Sequence, residues 1–372
     1  MNTMKLGLLG GGQLGRMFAT QASNFGYQVV TYCPELKPVA AVVAEHQCAH
    51  YNDRTALKKF AAQVGAVTIE FENVPVAAIE LLSEHTIVRP GATALESSQN
   101  RLAEKRFLTS KVGVAVAPWH SLEQSSDLEQ ITTAHYPAIL KTAAEGYDGK
   151  GQVAVKRAQD LPKAWQQLNQ CPAVLEQKIQ FEHELSVILV RNKLGQHAVY
   201  GPFRNEHKRH ILNISWADDS FTPVLQAEAK DIAISIGDAL KYEGVLCIEF
   251  FQQGDRLIVN EIAPRPHNSG HLTIEAFSCS QFEQQLRVLT DAPIGPVYQY
   301  CPAAMINIIS EQPTYAQQVS LLAMPGLHWH WYGKCARPGR KLGHLTITAN
   351  SVDQLRSRVT AAQACLTTAQ GD

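Results

Sequence analysis

Apolar residues first gather at Lys5–Leu9, and a glycine-rich turn separates that run from residues 16–24, whose spacing is helical. Residues 27–32 and 66–71 repeat the buried-strand pattern, with helical stretches between them. Strands alternating with helices predict a parallel, doubly wound sheet over roughly the first hundred residues. Residues 97–111 predict one helix, ended by Gly113. Beyond it the pattern changes to short β-like runs at 138–142, 151–155, 174–179, 185–191 and 197–201, with helix only around 160–168. Residues 230–242 read as helix, and 245–251 pair with 256–262 across 252–255 as a hairpin. A small β-rich tail over 329–348, closed by a helix over 352–362, completes the pattern. The expected fold class is therefore α/β followed by α+β: a Rossmann-like domain, then two α+β subdomains, then a small β-rich C-terminal domain. The corresponding boundaries are 1–96, 97–298 and 299–372.

The length of 372 residues fits two or three packed domains, and 45% hydrophobic with 18% charged residues is enough to bury them. Lys+Arg 33 against Asp+Glu 34 argues against bulk nucleic-acid binding, while a local basic cluster can still hold a phosphorylated small molecule. The eight cysteines are scattered without a C-x-x-C pair, as expected of buried reduced thiols in a cytoplasmic protein. The first residues lead straight into a strand without an apolar leader, and no segment has the length of a membrane span.

Candidate chemistry begins at Gly10-x-Gly12-x-x-Gly15, between a strand and a helix, which matches the dinucleotide fingerprint. Its acidic partner, Glu35, lies beyond the expected strand end. Three readings stay open: a nicotinamide or flavin cofactor, a plain tight turn, or an anionic substrate group at the helix N-terminus. A second glycine loop is more informative. Lys141 ends one strand, the next begins near Gly151, and Gly146, Gly149, Gly151 and Lys150 between them can present N–H groups and a cation to a polyphosphate. It is not a Walker loop, because a strand follows it and no Ser or Thr succeeds the lysine. Glu176 and Glu184 bracket a strand connection and suit the base and ribose of an adenosine. Glu249 and Glu261 lie on the two arms of the hairpin. An odd-membered turn near Gly254 would put both on one face, beside Asn260, where paired carboxylates and phosphates suit Mg²⁺.

These residues resemble the ATP-grasp family, which clamps ATP between two α+β subdomains and activates a carboxylate as an acyl phosphate. Further motifs narrow the resemblance: residues 70–75 at the carboxyl end of a strand, Pro264-Arg265-Pro266-His267-Asn268-Ser269-Gly270-His271, and the basic segment Lys334, Arg337, Arg340, Lys341 and His344. His267 and His271 stand at i, i+4, but Pro264, Pro266 and Gly270 disfavour a helix there, so an anionic substrate suits them better than zinc. With Gly12-Gln13-Leu14-Gly15-Arg16-Met17 and Gly146-Tyr147-Asp148-Gly149-Lys150-Gly151-Gln152, the order of motifs is similar to the N5-carboxyaminoimidazole ribonucleotide synthetases. Another ATP-grasp enzyme, such as a formate-dependent phosphoribosylglycinamide formyltransferase, is the alternative.

The resemblance implies ATP-dependent carboxylation of 5-aminoimidazole ribonucleotide by bicarbonate through carboxyphosphate, in purine biosynthesis, by a cytoplasmic homodimer using ATP and Mg²⁺. It implies ATP contacts at Arg101, Lys141, Gly146, Tyr147, Asp148, Gly149, Lys150, Gly151, Gln152, Glu176, Gln177, Lys178, Ile179, Glu184, His207, Asn260 and Glu261. It implies magnesium on Glu249 and Glu261, substrate contacts at Glu72, Tyr147, Arg265, His267, Lys334 and Arg340, and catalytic roles for Asp148 and Lys334. Carboxyphosphate must be kept from water, so residues 117–180 are expected to close as a lid. The chain departs from its relatives' usual pattern at Ala143, Glu145 and Arg204.

Overall fold

The protein is described by a computed structural model covering residues 4–132, 135–144 and 151–367. The first sheet is parallel, in the order β3-β2-β1-β4-β5, from Lys5–Leu9 (β1), Gln28–Cys33 (β2), Glu45–Cys48 (β3), Ala66–Ile69 (β4) and Ile87–Val88 (β5). Its central strands carry apolar residues on both faces because helices cover both, as a buried parallel sheet requires. The carboxyl ends of β1 and β4 carry the glycine turn and residues 70–75.

The second sheet, in the order β6-β9-β7-β8, comprises Trp119–Leu122 (β6), Ala138–Thr142 (β7), Gln152–Val155 (β8) and Ala173–Gln177 (β9), all neighbours antiparallel. With the helix Leu161–Gln167 it encloses its own small core, including Leu122, Leu140, Trp165 and Leu175.

The third sheet has eight strands: His183–Arg191 (β10), His197–Lys208 (β11), Ile211–Ala217 (β12), Gly244–Gln253 (β13), Arg256–Ala263 (β14), Ala303–Ile309 (β15), Leu327–Trp331 (β16) and Lys341–Thr348 (β17). Its order is β14-β13-β10-β11-β12-β15-β17-β16, so the tail strands extend the clamp's sheet through the β12–β15 pair. The last helix, Val352–Thr367, packs on those strands through Leu355, Val359 and Ala362.

Two expectations need correction. Residues 97–111 do not form one helix: a helix over Ala92–Ser98 ends, and Asn100 starts another over Arg101–Arg106. The Asn100 carboxamide oxygen accepts from the amides of Leu102 and Ala103, a capping geometry that an unbroken helix would forgo. The chain then widens into a π-helical turn, Phe107–Val112, before Gly113 adopts φ 80°. The helix expected over 230–242 begins earlier, at Pro223 behind the Thr222 cap.

The N-terminal sheet and the clamp share one apolar core, in which Leu9, Phe60 and Leu82 join Leu185, Leu246 and Ile248. Buried Arg89 reinforces the junction, donating to Glu243 at 2.7 Å and to the Val288 carbonyl at 2.6 Å, with Asp291 at 2.8 Å. Among the described residues no helix is long and apolar enough to cross a membrane.

Candidate active site

The glycine turn carries its own anion. Glu70, just past β4, accepts hydrogen bonds from the backbone N–H of Gly12 and, at 2.8 Å, of Gly15. This carboxyl occupies the N-terminus of helix Gln13–Asn24, the position a cofactor phosphate would need. A side chain at Gly10, whose φ is 110°, would run into Glu70, which explains the glycine there. Burial raises the Glu70 carboxyl above its ordinary range, against the pull of the glycine amides. Of the three readings, the structure favours a tight turn closed from within, with Gln13 projecting from it.

Gln13 accepts a hydrogen bond from the Lys334 ammonium, and Arg16 donates to the Trp331 carbonyl at 3.1 Å. The tail thereby meets the glycine turn. Burial, then the neighbouring Arg340 guanidinium, lowers the Lys334 ammonium to about 8. Arg340 is held more loosely, donating to the Cys335 carbonyl at 3.2 Å. Glu72 and Arg265 form a forked ion pair, with Arg265 Nη2 2.9 Å from Glu72 Oε1. Although burial opposes it, Arg265 holds the Glu72 carboxyl below the usual range. These predicted substrate residues thus converge from the N-terminal domain, the clamp and the tail.

Among the residues expected to meet adenosine, Glu176 lies near the end of β9 and is 4% exposed. Lys141 Nζ donates to Glu176 Oε2 at 2.7 Å, and Lys105 Nζ stands 3.3 Å from Oε1. Burial alone would raise this carboxyl, yet the two ammonium groups outweigh it and hold it at about 2. Gln177 and Lys178 donate their amides to the Pro118 and Pro137 carbonyls, each at 2.8 Å, which fixes the strand exit leading to Ile179. Arg101 approaches from the other side, its amide 2.7 Å from the Ala143 carbonyl. Glu184 on β10 is bonded to His207 on β11. Burial would lower the His207 imidazole, but Glu184 and Glu249 raise it. The departure at Arg204 has local partners: Glu206 at 2.6 Å and Ser220 at 3.0 Å, over the Trp216 ring.

Glu249 and Glu261 are directly opposite on β13 and β14, as expected, but for a different reason. The turn between Gln253 and Arg256 has two residues, Gly254 and Asp255, so it preserves even pairing. A bulge supplies the odd residue: Glu249 faces Glu261 while Phe250 faces Val259, leaving Asn260 extra. Without it Glu261 would point to the other face. Burial and the facing Glu261 push the Glu249 carboxyl up to about 7. His267 Nε2 lies 3.2 Å from Glu249 Oε1, and its Nδ1 lies 2.8 Å from Ser269 Oγ. His271 has a different neighbourhood, packed against His344 and the Gln281 carboxamide, in keeping with the rejection of a zinc pair.

Two functional residues escaped the sequence reading. Lys105, 1% exposed, donates at 2.9 Å to the carbonyl of Asn260, the bulged residue itself. Glu104 accepts at 2.7 Å from the amide of Ile262, just beyond the bulge. Burial raises Glu104 to about 8, against the pull of Lys105 and with Glu261 adding to the rise. One short helix therefore clamps the bulge on both sides and, through Lys105, ties it to Glu176. Gly146, Tyr147, Asp148, Gly149 and Lys150, with the departure Glu145, lie outside the described residues. Gly151 has φ 68°, and Gln152 begins β8, pairing with Lys141.

Comparison with known proteins follows the same three-part division. Residues 3–99 match the ribonucleotide synthetase preATP-grasp domain, 107–282 the ATP-grasp domain, and 303–358 the phosphoribosylaminoimidazole carboxylase C-terminal domain. The chain is 37% identical over 364 residues to the N5-carboxyaminoimidazole ribonucleotide synthase of Pseudomonas aeruginosa, covering 98% of this chain and 99% of that one. The crystal structure of the corresponding synthetase from Thermus thermophilus matches with a TM-score of 0.91 at 37% identity, over 99% of this chain and 100% of that one. The synthase from Aspergillus clavatus, solved with ADP and 5-aminoimidazole ribonucleotide, matches with a TM-score of 0.90 at 28% identity, over 98% and 99%.

Proposed function

The chain belongs to the N5-carboxyaminoimidazole ribonucleotide synthase family of ATP-grasp enzymes, and from that membership we propose how its own residues divide the work. It is a carbon–nitrogen ligase of purine biosynthesis, carboxylating 5-aminoimidazole ribonucleotide with bicarbonate at the expense of ATP. The observation that carries the assignment of roles is the facing pair Glu249 and Glu261, set on one face by a bulge that Lys105 ties to Glu176.

Glu249 and Glu261 would hold Mg²⁺; two facing, half-buried carboxylates, of which Glu261 raises the proton affinity of Glu249, are a donor set suited to a hard cation. Bound there, the ion neutralises phosphate charge during phosphoryl transfer. Lys141 and Glu176 border the nucleotide, with Glu184 and His207 beside the ribose. Lys334 and Arg340 hold the ribonucleotide phosphate, and the Glu72–Arg265 fork orients the aminoimidazole. His267, kept neutral by burial and neighbouring Arg265, steers the substrate without adding charge. Asp148 takes the amine proton, and Tyr147 lines the substrate. Bicarbonate is a poor electrophile, so ATP converts it to carboxyphosphate, and holding both reactants removes much of the entropic barrier. The separate core of the β6–β9 sheet supports its closing as a lid over 117–180. The domain limits 1–96, 97–298 and 299–372, a homodimer and a cytoplasmic setting belong to the same proposal. Sedimentation tests the dimer.

The deciding experiment measures ADP release with and without aminoimidazole ribonucleotide and with and without bicarbonate. Release that requires both is expected; release indifferent to both would overturn the reading.

A further inference from the structure

Beside the facing carboxylates lies a donor of different chemistry. Cys247 precedes Glu249 by two residues on β13, so both side chains project from the same face. The Cys247 thiol, one Glu249 oxygen and one His267 ring nitrogen all lie within 4.8 Å of one another. Cys247 is fully buried, so this thiol is fixed by packing. A thiolate, an imidazole and a carboxylate make a soft-to-borderline donor set, unlike the all-oxygen set that suits Mg²⁺.

The groups behind these donors are arranged to let the imidazole change tautomer. Ser215 donates to Asn205 at 2.7 Å, Asn205 to Ser186 at 2.9 Å, and Ser186 to Ser269 at 2.7 Å. Ser269 Oγ stands 2.8 Å from His267 Nδ1. With Nδ1 accepting from the Ser269 amide at 3.3 Å, Nε2 is left facing Glu249, 3.2 Å away. A cation on Nε2 places the ring proton on Nδ1, which gives up the Ser269 amide and donates to Ser269 Oγ, the usual support of a ligating histidine.

We propose that Cys247, Glu249 and His267 form a site for a soft divalent cation of the zinc or cadmium class, which overlaps the magnesium position at Glu249 and stops turnover when filled. Binding forms bonds from the cation to sulfur, carboxylate oxygen and Nε2. It releases the thiol proton, and the Glu249 proton where present, to buffer. Nothing is oxidised or reduced. The overlap with Mg²⁺ rests on the function proposed above, whereas the binding site itself does not.

The test therefore has two readouts on the full-length enzyme. Titration with Cd²⁺ alone, followed by thiolate-to-metal charge-transfer absorption, is expected to show a tight component that C247A lacks. In the ADP-release assay, Cd²⁺ or Zn²⁺ is expected to inhibit in competition with Mg²⁺, with the half-inhibitory concentration raised at least tenfold in C247A and the rate with Mg²⁺ alone retained. Should C247A fold poorly, C247S, nearly isosteric and without the soft donor, carries the same comparison. Equal charge-transfer amplitude in wild type and variant overturns the site, whatever the enzyme turns over. A Cys247-dependent band without competition against Mg²⁺ overturns the overlap.

Discussion

Replacing Lys105 by methionine tests whether Glu249 and Glu261, the proposed metal ligands, depend on a side chain outside that pair. The substitution keeps most of the stem volume and removes the ammonium. A carboxyl held at about 2 instead of 4.5 has gained about 3 kcal/mol of preference for its charged form, and at Glu176 that gain comes from Lys141 and Lys105 together. Lys141 is nearer, 2.7 Å against 3.3 Å, so the smaller share, about 1 kcal/mol, belongs to Lys105. The Asn260 carbonyl loses a charged donor at 2.9 Å, adding about 1.5–3 kcal/mol. Stability should fall by about 3 kcal/mol in total. The sign of the pH dependence follows from a depressed carboxylate. The Glu176 contribution is complete above 4.5 and lost as pH falls toward 2, so assays near neutrality see the whole effect.

The functional readout is the Mg²⁺ dependence of ADP release. Slackening the bulge lets Glu261 drift out of register with Glu249, and loss of an outer support of this kind weakens metal affinity about 10- to 100-fold. The KM for the ribonucleotide, held from the other side, should not change. A K105M enzyme with wild-type Mg²⁺ dependence would refute the argument that Lys105 holds the bulge. Loss of stability alone would assign it a purely structural role.

Three further outcomes follow. Because the Lys334 ammonium is held at about 8, the KM for the ribonucleotide should climb as pH rises past that value, and K334R should move the break to higher pH; a flat wild-type profile to pH 9.5 contradicts the phosphate contact, as estimated from the same linkage. The depressed value also means that the folded state sheds this proton before the unfolded chain does, so folding stability gains between about 8 and 10.5 while binding weakens. E70Q presents an amide to two backbone donors where Glu70 presents two acceptors; a loss of about 1–3 kcal/mol in denaturant unfolding, with a raised ribonucleotide KM, is expected, and wild-type stability would disprove the internal cap. R265K cannot reproduce the fork to Glu72, so ribonucleotide KM should rise about tenfold or more at constant ATP KM; an unchanged value would remove Arg265 from substrate orientation.

Much of this was legible in residue patterns because its signals are local. The parallel sheet announced itself through alternating strands and helices, and the hairpin carrying Glu249 and Glu261 through two apolar arms around Gly254. The illegible parts depend on pairing across distance. Nothing in the pattern around Asn260 distinguishes a bulge from a regular strand, so an odd-membered turn was the natural way to bring the carboxylates together. Arg101–Arg106 lies inside the single helix expected over 97–111, with Arg101 alone given a role, and four charged residues among its six carry no mark of which ones turn inward. Its Glu104 and Lys105 are buried against the strand bulge, where Ile262 and Asn260 pair with them across more than 150 residues.

The same logic explains why a dinucleotide fingerprint misled. Gly10-x-Gly12-x-x-Gly15 does build an anion site at a helix N-terminus, and the backbone there behaves as the pattern implies. What differs is the source of the anion. Glu70 arrives from the neighbouring strand β4, 55 residues after Gly15, and closes the site with a carboxylate of the same chain. That closure leaves no place for a pyrophosphate, but it rigidifies the turn and aims Gln13 at Lys334 on the C-terminal tail. A motif that elsewhere grips a cofactor here fixes the angle at which two ends of one chain meet. The distinction lies in a contact between β1 and β4, which no linear pattern within the turn records.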